Sequence, residues 1–123
     1  MSKKKKDVLI IEDENPLRHA LVKTFLDNDY IVAEADNAEY ALVQLEKIEP
    51  DIILLDLRLP GMNGMTFMNE LEKRNKDIPT IILTNDDSHM TQMRGMMKGA
   101  RDYLIKANTS LETIVSLVQK RLA

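Results

Sequence analysis

The chain has 123 residues, 44% of them hydrophobic and 30% charged, which fits one domain able to bury a core and stay in solution. Cysteine is absent, which excludes disulfides, thiol catalysis and thiolate metal sites and suits a reducing cytoplasm. A net charge of −3 argues against nucleic acid as a partner, and no apolar run reaches the ~18–20 residues needed to span a bilayer.

Lys3 to Lys6 make residues 1–6 a basic, flexible N-terminus ahead of a domain over 7–123. The apolar run 8–11 that follows is too short for a signal peptide. DVLII at 7–11 is the first strand. Asn15-Pro16 reads as an N-cap followed by proline at the first helical position, opening a helix to about Asn28. Leu17, Ala20, Leu21, Thr24 and Phe25 form its inner face. Residues 30–35 are a second, less apolar strand, placed nearer the sheet edge. Asp36 and Glu39 have capping-box spacing and open a helix to about Ile48, with Tyr40, Ala41, Leu45 and Ile48 facing inward.

Pro50 ends that helix, and 51–56 is the third strand. Pro60-Gly61 marks a turn, and a helix spans about 64–74. PTIILT at 79–84 is the fourth strand. Asp86, Asp87 and Ser88 can each cap the next helix, which Gly99 stops. Residues 101–105 are the fifth strand, and Thr109 with Glu112 has capping-box spacing for a last helix to about Leu122. Five β-α units in strict alternation predict an α/β fold with a parallel sheet covered by helices on both faces. Ligand sites in such sheets lie beyond the carboxyl ends of the strands.

The stretch IILLDLRLPG raises a question about Asp56, a carboxylate at the end of the most apolar run in the chain. One reading is a plain strand end meeting water; the other is a reactive carboxylate held at the sheet rim. The other strand ends separate the two. The first strand ends in Glu12-Asp13, the fourth in Thr84 and the fifth in Lys106. If the strands are parallel, all these side chains converge with Asp56 on one rim. Three carboxylates against one ammonium leave two negative charges, which a divalent cation would cancel. An all-oxygen ligand set suits Mg²⁺, with Mn²⁺ as a second choice. A carboxylate can serve as nucleophile and form an aspartyl phosphate. Phosphoryl transfer asks mainly for positioning and charge stabilisation, which Lys106 and Thr84 can supply. The turn after the first strand reads EDENP and has no glycine-rich phosphate cradle, so nucleotide binding gains no support.

The motifs LIIEDE (9–14), ILLDLRLPGMNG (53–64), IILTN (81–85) and GARDYLIK (99–106) resemble those of the response-regulator receiver domain, the phosphoacceptor module of two-component signalling. They cover the chain nearly end to end. The resemblance implies a flavodoxin-like (βα)5 fold with strand order 2-1-3-4-5. It implies that Asp56 accepts phosphate from a histidine kinase or a histidine phosphotransfer protein. Asp13 and Asp56 would ligate Mg²⁺, with Glu12 acting through water and the Arg58 carbonyl completing the site. Thr84 and Lys106 would bind the phosphoryl oxygens. Tyr103 stands where the family has its switch aromatic, so phosphorylation would reshape the face of helix 4, strand 5 and helix 5 for a downstream protein target. The chain is expected to be a stand-alone cytoplasmic receiver, not an enzyme beyond its own phosphoryl transfer and autodephosphorylation. It would be a monomer or a weak, phosphorylation-dependent dimer, without direct contact to nucleic acid or membrane.

Two positions depart from the family pattern, and two more flank the site. Ala107 follows Lys106 where the family usually has a proline after a cis bond, and the bond is expected to stay cis so that Lys106 reaches the phosphate. Asn85 follows Thr84 where a very small residue is usual, and is expected to narrow access. Arg58 and Asp86 each lie two residues beyond a site residue; they are expected to approach each other and screen the acyl phosphate, against a reading as two solvated charges. The methionines read mostly as core filler, with some on helix 4 exposed for partner binding, and His19 and His89 read as surface residues. Two rival readings use the same fold: a pseudo-receiver that binds partners without being phosphorylated, supported by Ala107 and Asn85, and an aspartyl-phosphate phosphatase. The second would want an acid where Arg58 stands.

Overall fold

The computed structural model describes residues 5–123, and Met1 to Lys4 of the expected basic N-terminus lie outside them. Five strands, β1 (Asp7–Ile11), β2 (Ile31–Ala35), β3 (Ile52–Leu55), β4 (Thr80–Thr84) and β5 (Asp102–Ile105), form one sheet in the order β2-β1-β3-β4-β5. All four pairings are parallel, as strict β-α alternation requires. The helices are α1 (Asn15–Asp27), α2 (Ala38–Gln44), α3 (Gly64–Lys73), α4 (His89–Met97) and α5 (Leu111–Leu122). A short 3-10 turn, Lys106–Asn108, follows β5.

Side chains alternate across the sheet with the period of two that a strand imposes. Val8, Ile10, Ile52, Leu54, Ile81 and Leu83 pack with Leu21 and Phe25 of α1 and Ile114, Val115 and Val118 of α5. Leu9, Ile11, Ile53, Leu55 and Ile82 face the other way, onto Ala41 and Leu42 of α2 and Phe67 and Leu71 of α3. The central strands are therefore apolar on both faces, which is why they read as unbroken apolar runs. The β2 strand is at an edge, as its weaker hydrophobicity predicts, and Ile31 is exposed there. Lys6 joins this edge through its carbonyl, which accepts from Ile31 N–H at 2.9 Å.

Several helix starts differ from the sequence reading by one residue. Glu14 precedes α1 without a side-chain capping bond, and Pro16 falls at the second helical position. Asn37, not Asp36, caps α2 by accepting from Tyr40 N–H at 2.7 Å. Glu39 is thereby freed from a capping box and accepts instead from Met62 N–H at 3.0 Å. Ser88 caps α4, and Ser110 rather than Thr109 caps α5. The α2 helix stops at Gln44, short of Ile48, and both Tyr40 and Ile48 are exposed instead of facing the core.

The α4 helix lies on the sheet through Gly95, its buried residue, and a Cβ there would meet Ile82 Cδ1 at 2.7 Å. The missing side chain lets α4 approach β4 closely, which accounts for a glycine inside a helix. Met90, Met93, Met96 and Met97 are all exposed, so the methionines of α4 are not core filler. Met68 is buried, and Met62 and Met65 pack at the edge of the core.

Candidate functional site

The parallel register brings the carboxyl ends of β1, β3, β4 and β5 to one rim. Asp56 N–H donates to Ile11 O at 3.0 Å, and Thr84 stands opposite Ile105. Glu12, Asp56 and Thr84 are buried there at 2%, 4% and 0% exposure, while Asp13 is exposed. Carboxylate oxygens of Glu12, Asp13 and Asp56 all lie within 4.8 Å of one another.

Lys106 reaches into this cluster. Its Nζ lies 2.9 Å from Asp56 Oδ2, 2.8 Å from Glu12 Oε1 and 3.3 Å from Glu14 Oε2. Burial alone would push the lysine down, but its bonds to Glu12 and Asp56 outweigh this and hold it above its usual range. Burial pushes Glu12 up to about 7, against the lowering effect of bonds from Lys106 and Glu14 N–H; the Asp56 charge adds to the rise. An uncompensated carboxylate cluster resists full ionisation, and a divalent cation would relieve it. The donor set is all oxygen, and Asp13 opens it to solvent, which fits a hydrated Mg²⁺.

The loop after β3 is shaped by two short contacts. Arg58 N–H donates to Asp56 Oδ1 at 3.1 Å, which turns the chain back over the carboxylate. Gly64 N–H donates to Leu57 O at 2.9 Å, and a Cβ on Gly64 would meet Asp56 O at 2.7 Å and Leu57 Cα at 2.8 Å. Only glycine lets the start of α3 lie this close to the Asp56 backbone.

Thr84 Oγ1 accepts a long bond from Asp86 N–H at 3.4 Å. Tyr103 donates its hydroxyl to Asp86 O, and its ring packs against the core beside α4. Asp86 also accepts from Ser88 N–H at 3.0 Å, a bond that holds its carboxyl below the usual range. Arg58 Nη2 lies 3.9 Å from Asp86 Oδ2, so the two flanking charges do meet.

No peptide bond among the described residues is cis, so the expected cis Lys106-Ala107 bond is not present. Residues Lys106–Asn108 turn as a 3-10 helix instead, and a trans bond with a free amide still lets Lys106 reach Asp56. Ala107 N–H donates to Asn85 Oδ1 at 3.2 Å. Three further contacts surround the cluster. Glu14 is a third carboxylate on Lys106, and Arg18 donates to Glu12 O at 3.0 Å and pairs with Glu34 at 2.9 Å. Arg18 sits one turn after Glu14, and only that helical spacing could have pointed to it.

Comparison with known proteins places the chain. The sequence profile of the response regulator receiver domain matches residues 8–119. The phosphate regulon transcriptional regulatory protein PhoB of Escherichia coli is 32% identical over 94% of this chain and 52% of its own length. The transcriptional regulatory protein YdfI of Bacillus subtilis is 37% identical over 87% of this chain and 50% of its own. The chain thus spans about half the length of these curated relatives. A crystal structure of a LuxR-family DNA-binding response regulator from Staphylococcus aureus superposes with a TM-score of 0.88 at 28% identity, covering 96% of this chain and 99% of that one. The profile match and the shared five-stranded fold make this chain a member of the receiver-domain family of two-component response regulators.

Proposed function

We propose that the domain is a Mg²⁺-dependent phosphoacceptor switch with Asp56 as the phosphorylated residue. The observation that carries this reading is the bond from Lys106 to Asp56 beside the Glu12–Asp13–Asp56 cluster. A solvated strand-end aspartate would need neither a buried lysine nor two further acids. Asp13 and Asp56 would hold the metal directly, Glu12 through water, and the Arg58 carbonyl would complete the set. The ion would supply charge neutralisation at the phosphoryl oxygens; Mn²⁺ would serve in its place.

The phosphoryl group comes from a phosphohistidine on a histidine kinase or a phosphotransfer protein. An Asp56 carboxylate oxygen attacks phosphorus, the O–P bond forms as the P–N bond breaks, and the imidazole leaves with the electron pair and takes up a proton. Lys106 exchanges its bond to Asp56 for one to a phosphoryl oxygen, and the Thr84 hydroxyl donates to another. Withdrawal of Thr84 from Asp86 N–H then alters the loop that Tyr103 holds, which couples the site to the face of α4, β5 and α5. The exposed methionines of α4 give that face an adaptable surface for a downstream protein. The chemistry is confined to the chain's own phosphorylation and dephosphorylation, with the reaction in the cytoplasm. No helix among the described residues is long and apolar enough to cross a membrane.

The test is incubation with Mg²⁺ and acetyl phosphate, followed by intact mass. One added phosphoryl group is expected, lost with EDTA and in Asp56→Ala. Absence of an adduct in a protein that still binds beryllofluoride would favour the pseudo-receiver, and turnover of an external phosphoester would favour the phosphatase.

A further inference from the structure

The turn that carries Lys106 is capped from outside itself. Ile105 precedes the 3-10 turn Lys106–Asn108 and offers no side-chain bond to it. The first amides of a helical turn have no partner within the turn. The Ala107 amide finds one just beyond the end of the neighbouring strand β4, donating to Asn85 Oδ1 at 3.2 Å. The register explains the reach. Thr84 stands opposite Ile105, so Asn85 and Lys106 leave the sheet side by side. The far end of the turn is tied as well, by Thr109 Oγ1 donating to Ile105 O at 2.8 Å. The donor exists because residue 107 is alanine; a proline has no N–H to give.

We propose that Asn85 is a positioning residue for Lys106: its carboxamide caps the turn after β5 and fixes the backbone from which the lysine reaches Asp56. Lys106 hangs on a flexible four-carbon stem, so its placement depends on its backbone anchor. Asn85 and Ala107 are then one device, a side-chain acceptor matched to a free amide. The proposal rests on the phosphoacceptor reading for its kinetic consequence but not for its structural one.

Two measurements test it. Solvent exchange of the Ala107 amide by NMR is expected to quicken roughly three- to tenfold in Asn85→Ala, the range one lost hydrogen bond gives, and to stay slow in Asn85→Asp, which keeps the acceptor. Phosphorylation at saturating acetyl phosphate is expected to slow by about the same factor in Asn85→Ala with unchanged Mg²⁺ affinity. In an Ala107→Pro background, where no amide remains, Asn85→Ala is expected to cost nothing further. A faster reaction in Asn85→Ala would mean that the residue only narrows access, and would overturn the proposal. So would unchanged Ala107 exchange, or an equal slowing in both backgrounds. If the wild-type protein takes no phosphoryl group, the phosphoacceptor reading fails. Ala107 exchange and the side-chain ammonium signal of Lys106, expected to shift in Asn85→Ala, then still decide the clamp.

Discussion

Lys106 and Asp56, fifty residues apart in sequence, meet at 2.9 Å on the rim of the sheet. Each is nearly inaccessible there, with side-chain exposures of 9% and 4%. The pair exists because β3 and β5 run parallel on either side of β4, so both end at the same level. Lys106→Ala would remove the one ammonium that the described residues place inside the acid cluster. We expect phosphorylation by acetyl phosphate to slow on the order of 100-fold, the usual cost of losing a donor aimed at developing charge. Stopped-flow kinetics checks this; a rate within twofold of wild type would remove Lys106 from the mechanism.

Glu12 gives the site a pH dependence in the metal-free protein. Its folded-state value is raised from 4.5 to about 7, mainly by burial. Between these two values the folded state binds more protons than the unfolded one, so stability falls as pH rises through the window. The loss is on the order of 2 kcal/mol once screening at the open rim is allowed for. Glu12→Gln cannot ionise, so its stability advantage over wild type should grow from pH 5 to pH 8 in EDTA. Urea midpoints at four pH values check the slope, and an advantage that shrinks with pH contradicts it.

Arg58 and Asp86 approach to 3.9 Å, with Arg58 largely in solvent. An exposed pair of this kind contributes little to stability. Its expected effect is kinetic: Arg58→Ala should shorten the acyl-phosphate lifetime roughly two- to fivefold by opening the path for water, with stability changed by less than about 0.5 kcal/mol. Phosphate release measured after donor removal reads the lifetime directly. An unchanged lifetime would leave Arg58 and Asp86 as two solvated charges.

Gly64 is held against the Asp56 carbonyl and the Leu57 backbone, neither of which can swing aside. Gly64→Ala should destabilise the domain by about 1–3 kcal/mol, the cost of overpacking a tight contact. Because the atoms it displaces belong to Asp56 and Leu57, Mg²⁺ affinity should fall with stability. Chemical denaturation and Mg²⁺ titration together test this; a variant as stable as wild type would show that the loop relaxes freely.

Much of the fold was legible because its signals are periodic and local. Apolar runs of β-branched residues marked the strands, and polar residues at four strand ends converged once the strands were parallel. The errors came from choices that sequence leaves degenerate. Asp36 and Asn37, or Thr109 and Ser110, can each cap a helix, and backbone geometry decided for Asn37 and Ser110. Tyr40 matches the helical period of its inner face, yet α2 is short and the ring stays in solvent. The trans turn after Lys106 was hidden for another reason. A bond between Asn85 and Ala107, 22 residues apart and just beyond the ends of β4 and β5, accompanies it, and neither residue signals the other in sequence. Exposure was expected for some of the α4 methionines and holds for all four, because Gly95, not a large side chain, makes the contact with the sheet.

The central claim is that Asp56 itself carries the phosphoryl group. Borohydride reduces an acyl phosphate, and not a phosphoester, to the alcohol. The protein should be incubated with Mg²⁺ and acetyl phosphate, reduced, digested and sequenced by mass spectrometry. We expect homoserine at position 56 and no phosphate on serine or threonine. An unreduced aspartate at position 56 in protein that has gained a phosphoryl group would contradict the account.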